Sequence, residues 1–232
     1  MIETLSLPEV TLVSISSINI PAHLKALQYS SRFINFGEVL FLTDATYDET
    51  EVYGNNIKQK SIPKISSKSD YSKFVVYELH KYIKTDFCLI IQADGFIINP
   101  EMWDPTFLQY DYIGAPWPDF YKDFYGNNIR VGNGGFSLRS KKLLQVPLHE
   151  KFDLYWDPLT QDSEDMNICA WRKDHYLKHG IKYAPLSVAK YFAHENYTLV
   201  PEVHGIKPFG FHTCYGYIHE DVTKKAYYPT FK

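Results

Sequence analysis

Three short runs of apolar, mostly β-branched residues constrain this fold more than any other feature of the chain. They cover Val10 to Ile15, Glu38 to Thr43 and Phe87 to Ile91. Runs of this length and composition are typical of strands that are buried on both faces of a sheet. The spacing between the runs leaves room for crossover helices, so the first half of the chain is expected to form a parallel sheet.

The segments between these runs contain residues at helical spacing. Pro21 suits the first turn of a helix, apolar residues then recur every three or four positions up to Ile34, and Gly37 is expected to end this helix. A short strand is expected near Ile57, and a second helix from about Tyr71 to Lys84. Strands that alternate with helices predict an α/β fold.

The second half of the chain has a different pattern, richer in Trp, Tyr, Pro and Gly. Residues Gly132 to Gly135 break the chain, and a short strand is expected from Phe136 to Arg139. A further helix is expected from about Ser163 to His179, with Gly180 at its end. Roughly the last 50 residues have the composition of loops and short strands.

Composition and charge exclude several classes of protein. The 232 residues suffice for one large domain, and a net charge of −3 without a dense basic stripe argues against a nucleic-acid partner. The three cysteines form no CxxC pair, which argues against a disulfide framework and a zinc ribbon and favours a reducing compartment. No signal peptide and no apolar run of about 20 residues are apparent, so a cytoplasmic location is expected.

Polar residues follow each of the three strands, at the sheet edge where ligands of open parallel sheets bind. Ser14 and Ser16 mark the first strand end, Asp44 the second, and Asp94-Gly95 the third. A carboxylate at the end of a buried strand could hold Mg²⁺ or Mn²⁺ against a diphosphate, and a glycine beside it would let the ligand approach the backbone. The alternative is an ordinary Asp-Gly turn.

Three further segments could take part in chemistry. The Asn133-Gly134-Gly135 loop permits close ligand approach, although it could equally be a flexible turn. Glu164-Asp165 could supply a general base for an acceptor hydroxyl, or could simply cap a helix. His212 could complete a Mn²⁺ site, whereas most histidines are structural. No G-x-S-x-G, P-loop, G-x-G-x-x-G or H-E-x-x-H sequence is present, which removes several common enzyme classes.

Several of these segments occur in an order that resembles a known family. The set comprises Tyr71-Ser72-Lys73-Phe74, Leu89 to Gly95, Trp103, Tyr110 to Trp117, Val131 to Ser140 and Glu164-Asp165. With its Q-x-D-G, D-Y-I-G-A-P-W and G-N-G-G-F-S-L-R elements, the chain resembles the DUF5672 group of GT-A-like glycosyltransferases over roughly residues 9 to 215.

This resemblance implies a single GT-A-like domain over residues 1–232. A Rossmann-like nucleotide-binding half with a mixed central sheet, about residues 9–100, would be fused to an acceptor-binding half, about residues 101–232. The D-x-D metal motif of GT-A enzymes corresponds to Gln92-Ala93-Asp94, in which an amide replaces the first acid. Asp94 and His212 would then hold Mn²⁺ or Mg²⁺.

The resemblance also assigns the remaining site residues. The residues near the nucleotide would be Ser14, Ser16, Asp44, Gln92 and Gly95. The residues near the sugars would be Asn133, Gly134, Gly135 and Trp117. The catalytic acids would be Asp165 and Glu164.

The implied activity is hexosyl or related sugar transfer from a nucleotide-sugar donor to a saccharide or glycolipid acceptor. Synthesis of a surface glycan or polysaccharide is the expected setting, with peripheral association at the cytoplasmic face of the membrane. Because Gln92 replaces an acid, the alternative is a catalytically silent nucleotide-sugar or glycan binding module. A nucleotidyltransferase is a weaker alternative, because residues 14–20 contain no glycine or basic residue for a phosphate loop.

Overall fold

A six-stranded sheet forms the centre of the protein. The computed structural model describes residues 4–45 and 56–212, and within these ranges the sheet has the order β3-β2-β1-β4-β7-β6. Its strands are β1 (Leu5–Ile15), β2 (Ile34–Thr43), β3 (Ile57–Ser61), β4 (Phe87–Ile91), β6 (Tyr112–Ile113) and β7 (Phe136–Ser140). The first four of these run parallel, whereas β7 is antiparallel to both β4 and β6, so the sheet is mixed, as the family resemblance implies.

A second sheet of three short strands has the order β5-β9-β8. It consists of β5 (Gly95–Ile97), β8 (Ala193–His194) and β9 (Gly210–His212). The pairing of β5 with β9 sets Gly95 opposite His212, and therefore brings His212 beside the end of β4.

The helices pack on both faces of the central sheet. They are α1 (Ile20–Ser31), α2 (Lys68–Tyr77), α3 (Lys141–His149), α4 (Glu164–Met166), α5 (Lys173–Lys178) and α6 (Leu186–Phe192). No helix in the described ranges is long and apolar enough to cross a membrane.

Alternating side chains of each buried strand supply two cores. In β4, Leu89 and Ile91 belong to the core that contains α1 and α6, whereas Cys88 and Ile90 belong to the core that contains α2 and α3. This alternation follows from the two-residue repeat of a strand, and it explains why the strand runs are apolar throughout.

The prediction that Gly37 ends the first helix is wrong. Helix α1 ends at Ser31, and Gly37 lies inside β2. A Cβ atom at this position would lie 2.1 Å from the carbonyl oxygen of Pro8. The pairing of β1 with β2 shifts register between Leu7 and Thr11, so the glycine accommodates an irregular strand rather than a helix end.

Two predicted helices have different bounds in the structure. Helix α2 begins at Lys68 and ends at Tyr77, and a separate 3₁₀ turn covers Leu79–Lys81. The helix expected from Ser163 to His179 is interrupted by a π-helical segment, Asn167–Trp171. Sequence spacing does not reveal such an insertion, because one extra residue per turn hardly disturbs the apolar pattern.

Candidate active site

The carboxyl ends of β1 and β4 open into a chamber of about 620 Å³, called the first chamber below. Parallel strands end at the same edge of a sheet, which brings these two strand ends together. The chamber is lined by residues 15–18 after β1, His23 of α1, residues 64–68, Tyr71 of α2, and residues 92–94 after β4.

A second chamber of about 370 Å³ adjoins the first. The two share Lys68, Tyr71 and Gln92 as lining residues, so they form one divided cleft. The other residues of the second chamber are Ser72, Asn133, Gly134, Gly135, Ser163, Glu164, Asp165, Glu195 and His212. Most of the residues predicted for the sugar and the chemistry therefore lie together.

His212 joins the two chambers through contacts on both of its ring nitrogens. Its Nε2 atom lies 3.3 Å from Oδ1 of Asp94 and 3.2 Å from Oε1 of Gln92, while Nδ1 lies 3.2 Å from Oε1 of Glu195. Burial lowers the pKa of His212, but the hydrogen bonds to Asp94 and Glu195 outweigh burial and raise the pKa to about 10. The two carboxylates hold this ring as an imidazolium, so they attract positive charge to this point, and a cation that binds Nε2 must first displace its proton.

The atoms that face Nε2 suit a divalent cation. Two ligand atoms that each lie about 2.1 Å from one cation, at a right angle to each other, are about 3.0 Å apart. The distances from Nε2 of His212 to the oxygens of Asp94 and Gln92 are close to this value. The carboxylate and amide oxygens suit both Mg²⁺ and Mn²⁺, and the imidazole nitrogen, a borderline ligand, suits Mn²⁺ better than Mg²⁺. Residues 4–45 and 56–212 contain no group of three His, Cys, Asp or Glu side chains that could hold a metal, so Asp94 and His212 would need the amide of Gln92 and ligands from a bound diphosphate.

The loop before β7 fits closely against the candidate catalytic groups. Asn133 has a left-handed backbone conformation, with φ of 69°, and its Oδ1 accepts hydrogen bonds from the backbone N–H groups of Gly135 and Phe136. A Cβ atom at Gly135 would lie 2.1 Å from Nε2 of His212, and one at Gly134 would lie 2.2 Å from Oε1 of Glu164. These glycines provide the space that the two side chains occupy.

The two predicted catalytic acids have different surroundings. Glu164 is buried and forms an ion pair with the buried Arg139, whose Nη2 lies 2.6 Å from Oε1. Burial raises the pKa of Glu164 against the opposing effect of the Arg139 charge. Asp165 is half-buried and accepts hydrogen bonds from the backbone N–H of Gly134 and the hydroxyl of Ser163. Asp165 is thus free of any ion pair with Arg139, and both acids line the second chamber.

Some of the residues predicted to lie near the nucleotide line the first chamber, and others do not. Ser16 and Gln92 line the first chamber. Ser14 is buried beneath it, and its hydroxyl forms hydrogen bonds with His23 and with the carbonyl oxygen of Ile91. Asp44 lies exposed at the end of β2 and does not line either chamber.

Two other predicted residues also lie behind the cleft. Gly95 is buried in β5, where a Cβ atom would lie 2.9 Å from the carbonyl oxygen of Gly135. Trp117 is buried, stacks on Tyr121 and packs against Gly132, so it supports the loop before β7 and lines neither chamber.

Sequence reasoning missed several residues of the cleft, among them Lys68, Tyr71 as a lining residue, and Glu195. Lys68 and Tyr71 enter through α2, whose first turn faces both chambers. Burial raises the pKa of Tyr71, so its hydroxyl keeps its proton. Glu195 follows β8, and the parallel pairing of β8 with β9 brings it beside His212. No local sequence pattern distinguishes this glutamate from a surface residue.

Comparison with known proteins gives a family and a fold. The family model described as "Protein of unknown function (DUF5672)" matches residues 56–212, more than half of the chain. No curated protein sequence matches the chain significantly. The crystal structure of an active-site mutant of LgtC is 14% identical, with 88% of this chain and 87% of that chain covered and a TM-score of 0.52.

Two further structures are more distant in TM-score. Apo glycosyltransferase GlyE from Streptococcus pneumoniae TIGR4 is 12% identical over 88% of this chain and 54% of that chain, with a TM-score of 0.47. Mannosyltransferase PcManGT from Pyrobaculum calidifontis, in complex with GDP-Man and Mn²⁺, is 13% identical over 78% and 57%, with a TM-score of 0.42. The chain has the fold of GT-A-type glycosyltransferases, and it belongs to the DUF5672 family.

Proposed function

We propose that the protein is a glycosyltransferase that moves a sugar from a nucleotide-sugar donor to a hydroxyl group of a saccharide acceptor. One observation carries this proposal: Asp94, Gln92 and His212 meet where the two chambers of the cleft adjoin, at the carboxyl edge of the central sheet. A diphosphate bound there would extend its nucleoside into the first chamber and its sugar into the second.

The charges along the cleft support this placement of the donor. Lys68 lines both chambers and Lys64 lines the first, so two cations flank the path of the diphosphate. Asp94 and His212 would hold Mn²⁺ or Mg²⁺, with Gln92 as a neutral third ligand. When bound, the ion would supply positive charge to the departing nucleoside diphosphate.

We assign the role of general base to Asp165. Glu164 is already paired with Arg139, whereas Asp165 is held by the neutral donors of Gly134 and Ser163. In an inverting reaction, Asp165 takes the proton of the acceptor hydroxyl, whose oxygen forms a bond to the anomeric carbon. The bond from that carbon to the diphosphate breaks, and its electron pair leaves with the nucleoside diphosphate. In a retaining reaction, Asp165 would orient the acceptor instead.

The acceptor that we propose is a saccharide or glycolipid of a surface glycan or polysaccharide, a setting that rests on analogy with the fold class. The alternative proposal is a silent module that binds a nucleotide sugar or glycan without turnover. Gln92 favours it, because an amide in place of a carboxylate weakens attraction for a cation.

A thermal-shift screen of UDP, GDP, ADP and CDP, with and without Mn²⁺, tests the donor site. We expect one diphosphate to raise the melting temperature in a Mn²⁺-dependent manner, by an amount that follows its concentration relative to its dissociation constant. Asp94→Ala should abolish that dependence. Asp44→Ala, at the exposed end of β2 and outside both chambers, is the matched control and should retain it. Full Mn²⁺-dependent stabilisation of Asp94→Ala would refute the assignment.

A turnover assay separates the enzyme from the silent module. Nucleotide sugars of the base selected in the screen are incubated with the protein, and release of the nucleoside diphosphate is measured. An enzyme should release it, and Asp165→Asn should reduce the rate by about 10²-fold or more while donor binding persists. Tight donor binding without release, with or without saccharide acceptors, would favour the silent module.

A further inference from the structure

His23 forms part of the wall of the first chamber, although no sequence pattern marks it. It belongs to α1, is 8% exposed and lines the chamber near Gln92 and Asp94. Its ring stacks on Phe41, and its Nδ1 atom lies 2.7 Å from Oγ of Ser14. Packing on one side and a short hydrogen bond on the other hold the imidazole in one orientation.

The contacts of Ser14 determine which nitrogen of His23 carries the proton. Oγ of Ser14 lies 2.7 Å from the carbonyl oxygen of Ile91. A carbonyl can only accept, so the single hydroxyl proton of Ser14 is used in this bond. Ser14 must therefore accept the second hydrogen bond, and His23 donates it from Nδ1–H.

The other nitrogen, Nε2, is consequently a hydrogen-bond acceptor. Burial lowers the pKa of His23 to about 4, against the opposing effect of the Asp94 charge, so the imidazole is neutral at pH 7. A neutral imidazole with its proton on Nδ1 has a lone pair on Nε2. The structure gives Nε2 no hydrogen bond to any residue of the ranges 4–45 and 56–212. The first chamber thus presents an acceptor that a ligand can satisfy.

The position of His23 along the cleft indicates which part of a ligand it meets. The diphosphate of the proposed donor lies at Asp94 and His212, and Asp94 and His23 line the same chamber. The group next to the diphosphate in any nucleoside diphosphate is the ribose, whose hydroxyl groups are hydrogen-bond donors. The base lies one group farther away.

We propose that Nε2 of His23 accepts a hydrogen bond from a ribose hydroxyl of the bound nucleotide, and that this contact selects ribonucleotides over their deoxy analogues. Ser14 acts as the positioning residue that keeps the acceptor side of the ring toward the chamber. The inference rests on the proposed function, and it adds a specificity-determining residue to the donor site.

Binding of the best nucleoside diphosphate, and of its 2′-deoxy and 3′-deoxy analogues, tests the inference by calorimetry. The wild-type protein should bind one deoxy analogue about tenfold more weakly than the ribonucleotide, because Nε2 then lacks a partner. His23→Phe keeps a ring but no acceptor, so it should bind that analogue and the ribonucleotide equally. His204→Phe, an exposed histidine outside both chambers, is the matched control and should keep the tenfold preference.

Ser14→Ala provides a second variant with a smaller change in volume. Without the hydroxyl, no group fixes the proton on Nδ1, and the preference for the ribonucleotide should fall toward that of His23→Phe. This outcome distinguishes the proposed tautomer from a purely steric role of the ring, for which Ser14→Ala would leave the preference unchanged.

Three results would overturn the inference, each in a recognisable way. An unchanged ribose preference in His23→Phe would show that Nε2 does not meet the sugar. A change in preference among the four bases, with the ribose preference intact, would place the base at His23. Absence of binding of any nucleoside diphosphate to the wild-type protein would refute the proposed function itself, and the inference with it.

Discussion

The absence of a Cβ atom at Gly134 and Gly135 decides the shape of the second chamber. Each glycine lies where a methyl group would overlap a candidate functional side chain, Glu164 in one case and His212 in the other. Because both positions precede the buried strand β7, the backbone has little freedom to move away. The two glycines therefore report separately on the acid and on the proposed cation ligand.

Gly135→Ala should displace the ring of His212 and weaken Mn²⁺-dependent binding of the nucleoside diphosphate by about tenfold or more. Gly134→Ala should displace Glu164 instead and leave Mn²⁺ dependence intact. The measurement is the Mn²⁺ titration of nucleotide binding for both variants, with melting temperature without ligand as the check on folding. Equal losses of Mn²⁺ dependence in the two variants would contradict the separation of roles.

Among the helices, α2 faces both chambers of the cleft, because Lys68, Tyr71 and Ser72 lie together at its first turns. A reciprocal pair of hydrogen bonds fixes that end. The hydroxyl of Ser67 accepts from the backbone N–H of Asp70, and the carboxylate of Asp70 accepts from the backbone N–H of Ser66, both at 3.0 Å. Without the hydroxyl of Ser67, the backbone N–H of Asp70 in the first turn would have no partner in the helix.

Ser67→Ala is expected to lower the free energy of unfolding by about 1 kcal/mol, the usual effect of losing an N-cap side chain. It should also weaken nucleotide binding, since the first turn of α2 faces both chambers. Ser66→Ala keeps the backbone N–H that Asp70 uses and serves as the control. Urea denaturation of both variants measures the difference; equal stability of Ser67→Ala and Ser66→Ala would contradict the capping role.

At the scale of the whole molecule, strand pairing joins the proposed nucleotide-binding and acceptor-binding halves. Strands β4 and β5 of the nucleotide-binding half pair with β7 and β9 of the acceptor-binding half, respectively. The cores on both faces of the central sheet also draw on both halves: Leu12 and Phe41 share one core with Phe136 and Phe209. Neither half buries its apolar surface alone, which predicts one cooperative folding unit.

The four tryptophans, Trp103, Trp117, Trp156 and Trp171, all lie in the proposed acceptor-binding half, which provides a test of cooperativity. Far-ultraviolet circular dichroism reports on both halves, whereas tryptophan fluorescence reports on the second alone. The two urea transitions should have the same midpoint. A circular dichroism transition that begins before any change in fluorescence would show that the nucleotide-binding half unfolds independently.

The pattern of apolar residues in the sequence is sufficient to predict strands in which nearly every residue is buried. Strand β4 was predicted with its observed bounds, Phe87 to Ile91, because every residue of a doubly covered strand is apolar. Gly37 shows the opposite case: the same residue type ends helices and relieves crowding in strands, and only its contact with Pro8 distinguishes the two. Helix α3 was missed entirely, because Pro147 lies within it.

The sequence by itself determined the α/β class, four of the buried strands, the resemblance to the DUF5672 family and the residues after β4 as the centre of the candidate site. Only the tertiary structure decided that Glu195 contacts His212, that Arg139 holds Glu164, and that Ser14 directs the proton of His23. The physical reason is the range of the contacts. Strand and helix patterns repeat within a few residues. The side chains of these three contacts are 9 to 25 residues apart in the chain and meet through strand pairing and packing, for which single-sequence spacing contains no signal.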